Sequence, residues 1–197
     1  MKKIFILIFA ALVFAACNSA PRSTIEIKLD GREIPFVENE KSGWQTVQKA
    51  LYSANGDFAD RRHALRWITI RNYEFDAAKT SPNADKLTAP EQVKIFVSLH
   101  DDQGTDDATP LKPASYKGAK SGGAPMNLEL VNVYLFRDGK EEIVQLYPSQ
   151  TADPASCEVK INSVEGSTIK GEINAAGQVS GKDFVVKGLF TTQIYKR

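Results

Sequence analysis

Apolar and polar residues alternate with a period of two along most of the chain. In residues 24–29, Ile25, Ile27 and Leu29 fall on one face and polar residues on the other. Such alternation predicts half-buried β-strands. The same pattern predicts further strands at residues 64–75, 93–99, 128–136, 141–147, 159–164, 168–173 and 184–195.

Turn residues separate several of these runs. Asp30-Gly31 lies between the first strand and residues 32–37, and Asp138-Gly139 lies between residues 128–136 and 141–147. An Asp-Gly pair between alternating runs is a strong hairpin signal. Residues 165–167 predict a third hairpin turn. Pro35 has no backbone N–H, so its strand is predicted to lie at the edge of a sheet.

Residues 42–54 fit two interpretations. Trp44, Val47, Leu51 and Ala54 follow helical spacing, yet the surrounding pattern is that of strands. We predict a strand here, with a helix as the alternative. Residues 76–90 and 101–125 are rich in turn-forming residues and are interpreted as connections.

Many short strands separated by Gly and Pro turns indicate an all-β fold. Residues 24–197 are predicted to form one antiparallel β-sandwich, which is a single domain. A lipocalin-like β-barrel is the alternative.

The first residues have a different composition. Lys2 and Lys3 precede an unbroken apolar run from Ile4 to Ala16. A membrane-spanning helix needs about 20 apolar residues, so this shorter run behind a positive start is typical of a secretory signal. Residues 1–16 are therefore predicted to be a cleaved signal peptide.

The end of this run, Phe14-Ala15-Ala16-Cys17, resembles the lipobox of bacterial lipoproteins, with Phe14 where Leu is usual. The resemblance implies that a lipid, with palmitate among its acyl chains, is attached at Cys17 and that residues 17–23 tether the domain to a membrane. It implies a location in the cell envelope. Because Asn18, and not Asp, follows the cysteine, the resemblance favours the outer membrane facing the periplasm in a Gram-negative host, with surface display as a further possibility.

Composition excludes some partners. Without Lys2 and Lys3 the chain has 23 basic and 24 acidic residues. This balance does not favour nucleic acid as a partner. If Cys17 carries lipid, Cys157 has no partner for a disulfide. Its alternating surroundings predict a buried structural thiol.

Residues with catalytic or metal-binding chemistry are scarce. The two histidines are His63 and His100, and His100 precedes the Asp-rich segment 101–107. We interpret that segment as a solvated turn, with a calcium loop as the alternative. Residues 176–183 resemble a phosphate-binding loop only faintly, because the leading glycine and the following helix are missing. We predict no catalytic residues, metal site or cofactor.

One basic cluster combines Arg61, Arg62, Arg66 and Arg71 with the interleaved Trp67 and Tyr73. Alternation places Arg66 and Arg71 on opposite faces, so we interpret the charges as solvated and protective of the strand. The alternative is a binding patch for lipid phosphates or a glycan, with Arg61, Arg62, Arg66 and Trp67 as its candidate residues.

These observations favour a non-enzymatic, lipid-anchored envelope protein whose β domain binds a protein, glycan or lipid, or has a structural role. A lipid-carrier barrel is one alternative, and it requires a wide apolar cavity. A hydrolase of envelope or host material is the other, and it requires two carboxylates at a productive separation.

Overall fold

The computed structural model describes residues 23–37, 48–53, 62–74, 85–102, 111–121 and 124–193, with only the backbone for 48–53, 62–64 and 193. These ranges contain eleven strands. In chain order they are β1 Thr24–Leu29, β2 Arg32–Ile34, β3 Gln48–Ser53, β4 Arg62–Arg71, β5 Val93–Asp101, β6 Ala114–Lys117, β7 Asn127–Arg137, β8 Lys140–Leu146, β9 Glu158–Glu165, β10 Thr168–Val179 and β11 Lys182–Gln193. Two short 3₁₀ turns, Pro148–Gln150 and Pro154–Ser156, lie between β8 and β9. Within the described ranges, no helix is long and apolar enough to cross a membrane.

The strands form one open, mixed sheet that does not close into a barrel. Ten of them follow the order β2-β1-β11-β10-β9-β6-β7-β5-β4-β3, and β8 pairs with β7. All pairings are antiparallel except that of β6 with β7, where Lys117 pairs with Asn127. The all-β prediction is confirmed, and the barrel alternative is wrong because the described strands form an open sheet.

The sheet has two wings joined by β6. We call β1, β2, β9, β10 and β11 the first wing, and β3, β4, β5, β7 and β8 the second wing. Both wings contribute to one hydrophobic core, which includes Ile27 and Phe184 from the first and Ile95 and Val133 from the second. The wings also meet at Gly177, where an added Cβ would come within 2.8 Å of Leu146 Cδ1. The wings thus enclose the core as a sandwich does, within one continuous sheet.

The predicted hairpins are confirmed. Asp30 and Asp138 adopt positive φ angles of 53° and 51°, and each is followed by a glycine with positive φ. This is the backbone that a two-residue turn between antiparallel strands requires. The strand that ends before Pro35 lies at one edge of the sheet, as predicted. Residues 180–181 form another such turn between β10 and β11, which places the rejected phosphate-loop segment in a hairpin.

The ambiguous segment 42–54 is described only for residues 48–53, and these form β3 at the other edge of the sheet. The strand interpretation is confirmed there. The prediction missed β6, because its four residues lie inside the segment 101–125 that was interpreted as a connection.

Candidate functional site

The inner and outer faces of the second wing differ in residue type. On β4 and β5 the inner face carries Ile68, Ile70, Ile95 and Val97, which are buried in the core. The outer face carries the alternate residues of the same strands. Their cross-strand register decides which side chains become neighbours.

Three rows of side chains cross the outer face from β4 to β5 and β7. The first contains Trp67, Ser98 and Leu130, the second Thr69, Phe96 and Asn132, and the third Arg71, Lys94 and Tyr134. Each row has one aromatic residue. It lies on β4 in the first row, on β5 in the second and on β7 in the third. We call Trp67, Phe96 and Tyr134 the aromatic diagonal.

The aromatic diagonal is half-buried. Its first two rings are in contact, with centroids 6.0 Å apart and planes inclined by 52°. Diagonal neighbours on adjacent strands lie about 7–8 Å apart, so the three positions extend across the face as a continuous line. The third ring, that of Tyr134, lies 4.1 Å from the Lys94 ammonium, which is a cation–π distance.

Two polar groups beside Phe96 have no hydrogen-bond partner among the described residues. They are Thr69 Oγ1 and Asn132 Oδ1, and both side chains are at least nine-tenths buried. The amide nitrogen of the same side chain, Asn132 Nδ2, lies 3.5 Å from the Tyr134 hydroxyl oxygen. A buried polar group without a partner costs about 1–3 kcal/mol, so two such groups beside partly exposed rings require an explanation.

A group of charged residues closes one end of this face. The Asp85 carboxylate accepts hydrogen bonds from Arg71 Nε at 2.7 Å and from the Tyr73 hydroxyl at 2.5 Å. Lys94 Nζ donates to the Asp85 carbonyl at 2.7 Å, and Glu141 accepts from the Leu87 amide at 3.0 Å. We call Arg71, Tyr73, Asp85 and Lys94 the Asp85 clasp. It fixes the segment from residue 85 over the third row.

The clasp shifts the pKa values of Asp85 and Tyr73. Burial alone would raise the pKa of Asp85, but Arg71, Tyr73 and Lys94 together hold that pKa below its usual value. Burial, and then the Asp85 carboxylate, raise the pKa of Tyr73. Asp85 is therefore an anion at neutral pH and a structural acceptor. A carboxyl group that acts as a general acid has its pKa raised instead.

A β-bulge defines the other end of the face. The register between β5 and β7 shifts between Ser98 and Leu99, which makes Glu129 the extra residue. Bulges often redirect a side chain. Here Ser98 Oγ donates to Glu129 Oε2 at 2.8 Å, and His100 Nε2 lies 3.2 Å from the same oxygen. The His100 side chain, and then that of Ser98, lower the pKa of Glu129 against the opposing effect of burial.

This arrangement differs from that of a serine hydrolase. There the imidazole stands between the hydroxyl and the carboxylate, so that it accepts the hydroxyl proton. Here the carboxylate of Glu129 stands between Ser98 and His100. His100 is completely buried. The second histidine, His63, is described only by its backbone.

The sequence-predicted site residues fall in different places. Cys17 and Arg61 lie outside the described residues, and Arg62 begins β4 with only its backbone described. Arg66 and Trp67 lie on opposite faces of β4, so they do not share a surface. Trp67 belongs to the aromatic diagonal. Sequence reasoning missed Phe96, Asn132 and Tyr134, whose only signal was their position in alternating strands.

The solvated-charge interpretation is wrong for Arg66 and Arg71, since both are completely buried. Arg66 Nε donates to Asp101 Oδ2, and both side chains lie inside the molecule. Tyr116 is buried nearby, and its pKa is raised first by burial and then by the Asp101 charge. Asp101 was predicted to begin a solvated acidic turn; it is instead the counter-ion of a buried arginine. Residues 103–107 of that turn lie outside the described ranges.

Two further predictions concern the thiol of Cys157 and the absence of a metal site. Cys157 is completely buried and lies directly before β9, where its thiol is 3.4 Å from the Ala176 carbonyl oxygen. Burial raises the pKa of this thiol, and its prediction as a buried structural cysteine is confirmed. Among the described residues, His, Cys, Asp and Glu form no group of three that could hold a metal ion.

A depression lies away from the aromatic diagonal, at the end of the sheet, between the residues after β2 and the hairpin of β7 and β8. Its volume is about 490 Å³, and its lining includes Ile34, Val37, Tyr73, Phe136 and Arg137. None of the described buried polar atoms that lack a partner lies in this lining. The aromatic diagonal therefore has the more specific binding chemistry.

No protein-family model, curated protein or solved structure shows significant similarity to this chain. The assignment of the candidate site therefore rests on the geometry of its residues alone.

Proposed function

We propose that this chain is a non-enzymatic binding protein of the cell envelope, anchored to a membrane by a lipid on Cys17. The outer face of the second wing is the binding surface. The observation that carries the proposal is a half-buried aromatic diagonal beside polar atoms of Thr69 and Asn132 that have no hydrogen-bond partner in the described part of the chain. Aromatic side chains with a few convergent polar groups are the usual lining of a ligand site.

The filled interior opposes the lipid-carrier alternative. Large side chains from both wings, among them Phe184, Leu128 and Ile161, are almost completely buried in the shared core. A carrier of lipid needs that volume for its cargo. Asp85, Asp101 and Glu129 are each engaged with neighbouring side chains, which supports structural roles for these three carboxylates over catalytic ones.

The tether supports a position close to the membrane. Ser23 is the first described residue, and its Oγ accepts a hydrogen bond of 3.0 Å from the Thr191 amide. The domain therefore begins within six residues of Cys17. Six extended residues span at most about 20 Å. A domain so tethered meets ligands at the membrane surface.

Metabolic labelling with radioactive palmitate tests the anchor. We expect labelled wild-type protein and an unlabelled Cys17→Ala variant. Cys157→Ser is the matched control, because its thiol is buried, and it should keep the label. Equal labelling of wild type and Cys17→Ala would show that the anchor is wrong.

Site-specific photo-crosslinking in the native host tests the binding surface. A photoreactive residue at the exposed position 145, which pairs with Asn132, should give adducts. The matched control is position 160, which is exposed on the first wing. Adducts at neither position, or equally at both, would contradict the assignment of the binding surface.

A further inference from the structure

The aromatic diagonal has a chemistry that selects one class of ligand, and this inference rests on the binding function proposed above. We infer that its ligand is an uncharged glycan, bound with its sugar rings against Trp67, Phe96 and Tyr134. A sugar ring presents apolar C–H faces together with hydroxyl groups at its rim. It therefore needs aromatic surface and hydrogen-bonding groups side by side.

The outer face provides both kinds of contact in alternation. Phe96 is flanked in its own row by Thr69 on one side and Asn132 on the other. Thr69 Oγ1 and Asn132 Oδ1 are buried beside Phe96 and have no partner among the described residues, and a sugar hydroxyl that reaches them would supply the missing hydrogen bond. Gln145 extends the row at its exposed end. A lipid chain would leave these polar groups without partners.

The charges on this face favour a ligand without charge. Arg71 and Lys94 are engaged by Asp85, and Lys94 also lies 3.9 Å from Glu141. Ser98 and His100 both lie against Glu129. An anionic polymer would have to break these contacts and desolvate the released charges. Loss of a partner from a buried charge is costly, so binding to an anionic polymer is disfavoured.

The position within the sheet favours a glycan over a peptide. A peptide that adds a strand requires a free sheet edge with unpaired backbone groups. The diagonal instead lies on β4, β5 and β7, each of which is paired on both sides. Only side chains are offered to a ligand there. Glu129 adds a carboxylate whose side chain is 35% exposed, at the end next to Trp67.

Glycan-array binding and affinity gel electrophoresis with the purified mature protein test the inference. The probes are the neutral polysaccharides dextran, xylan and glucomannan, with hyaluronan and heparin as anionic comparisons. We expect retardation by at least one neutral polymer. Trp67→Ala should weaken binding by about tenfold or more, as expected for truncation of an aromatic anchor. Asn132→Ala should weaken it less, and Trp67→Phe should keep part of it.

Lys160→Ala on the first wing is the matched control and should bind as the wild type does. The melting temperature of every variant shows whether it is folded. Fluorescence provides a second measurement, because Trp44 and Trp67 are the two tryptophans and Trp44→Phe isolates the signal of Trp67. Addition of a bound glycan should then change that signal.

Three results would overturn the inference. Binding only to anionic polymers would show a charged ligand, and glycan binding unaffected in folded Trp67→Ala would place the site elsewhere. If no glycan binds while a protein is crosslinked at position 145, the ligand is a protein. In that case the proposed binding function stands without a glycan; if position 145 gives no adduct either, both proposals fail.

Discussion

The outer faces of the two wings carry similar residue types in different environments. On the first wing, Lys187 lies 3.1 Å from Glu26, and Lys160 lies 3.3 Å from Glu172. The lysine side chains there are about half exposed, at 53% and 52%. On the outer face of the second wing, Arg71 and Lys94 are 0% and 4% exposed.

This difference shows that alternation predicts which residues share a face of the sheet but not whether that face is exposed to solvent. The charged pairs of the first wing are solvated, and solvated pairs contribute little to stability. On the second wing Arg71 and Lys94 are removed from water, so each depends on its specific partner. The second wing is therefore the part whose side-chain arrangement is most sensitive to single changes.

The largest expected effect is at Asp101. Asp101→Ala removes the buried carboxylate that pairs with the buried Arg66 guanidinium, and we expect a loss of about 3–5 kcal/mol in the free energy of unfolding. Urea denaturation measures this loss. The double variant Arg66→Met/Asp101→Leu should recover most of it, because apolar residues can replace a buried ion pair. A single variant as stable as the wild type would show that this buried pair inside the second wing is no more sensitive to change than a solvated pair.

The next effect is at the Asp85 clasp. Asp85→Asn removes a charged acceptor from Arg71, Tyr73 and Lys94, and we expect a loss of about 1–3 kcal/mol at neutral pH. Because the pKa of Asp85 is lowered in the folded protein, its contribution is present above the unfolded carboxyl pKa. It is lost as the pH falls through the folded pKa.

The free energy of unfolding should therefore differ most between wild type and Asp85→Asn above about pH 5, and the difference should shrink below about pH 4. Urea denaturation at a series of pH values measures it, with Glu172→Gln as the control for a solvated carboxylate. A difference that grows as the pH falls would have the wrong sign for this clasp.

The smallest effect is expected on the first wing. Lys160→Ala removes one member of a solvated pair with Glu172, and we expect a change within about 0.5 kcal/mol. Urea titrations at low and high NaCl measure it, since salt screens exposed pairs. A loss as large as that of Asp85→Asn would mean that the two outer faces do not differ as described.

Much of the fold was predictable because the alternation of apolar residues and the turn residues indicate the same strand boundaries. Alternation located the long strands, and Asp-Gly pairs located two of the hairpins. The strand β6 was not predictable, since four residues give too little periodicity to recognise. The single continuous sheet was not predictable either, because it depends on the contact of β6 with both β7 and β9.

The candidate site was predictable only in part. Trp67 was identified because it lies among arginines in the sequence. Its neighbours Phe96 and Tyr134 reach it through the register of β5 and β7, which local sequence does not specify. The burial of Arg66 was missed because its partner Asp101 is 35 residues away. Long-range pairing therefore decides which charges are structural and which rings share a face.

The pairing of β1 with β11 has a consequence for the order of folding. Ser23 and Thr191, which are joined by a hydrogen bond, are 168 residues apart in the chain. During synthesis the first strand has only β2 beside it, and a two-stranded hairpin is marginally stable at best. Distant pairings also slow folding, because a long loop must close first. The pairing of β1 can thus be completed only when β11, Lys182–Gln193, is available.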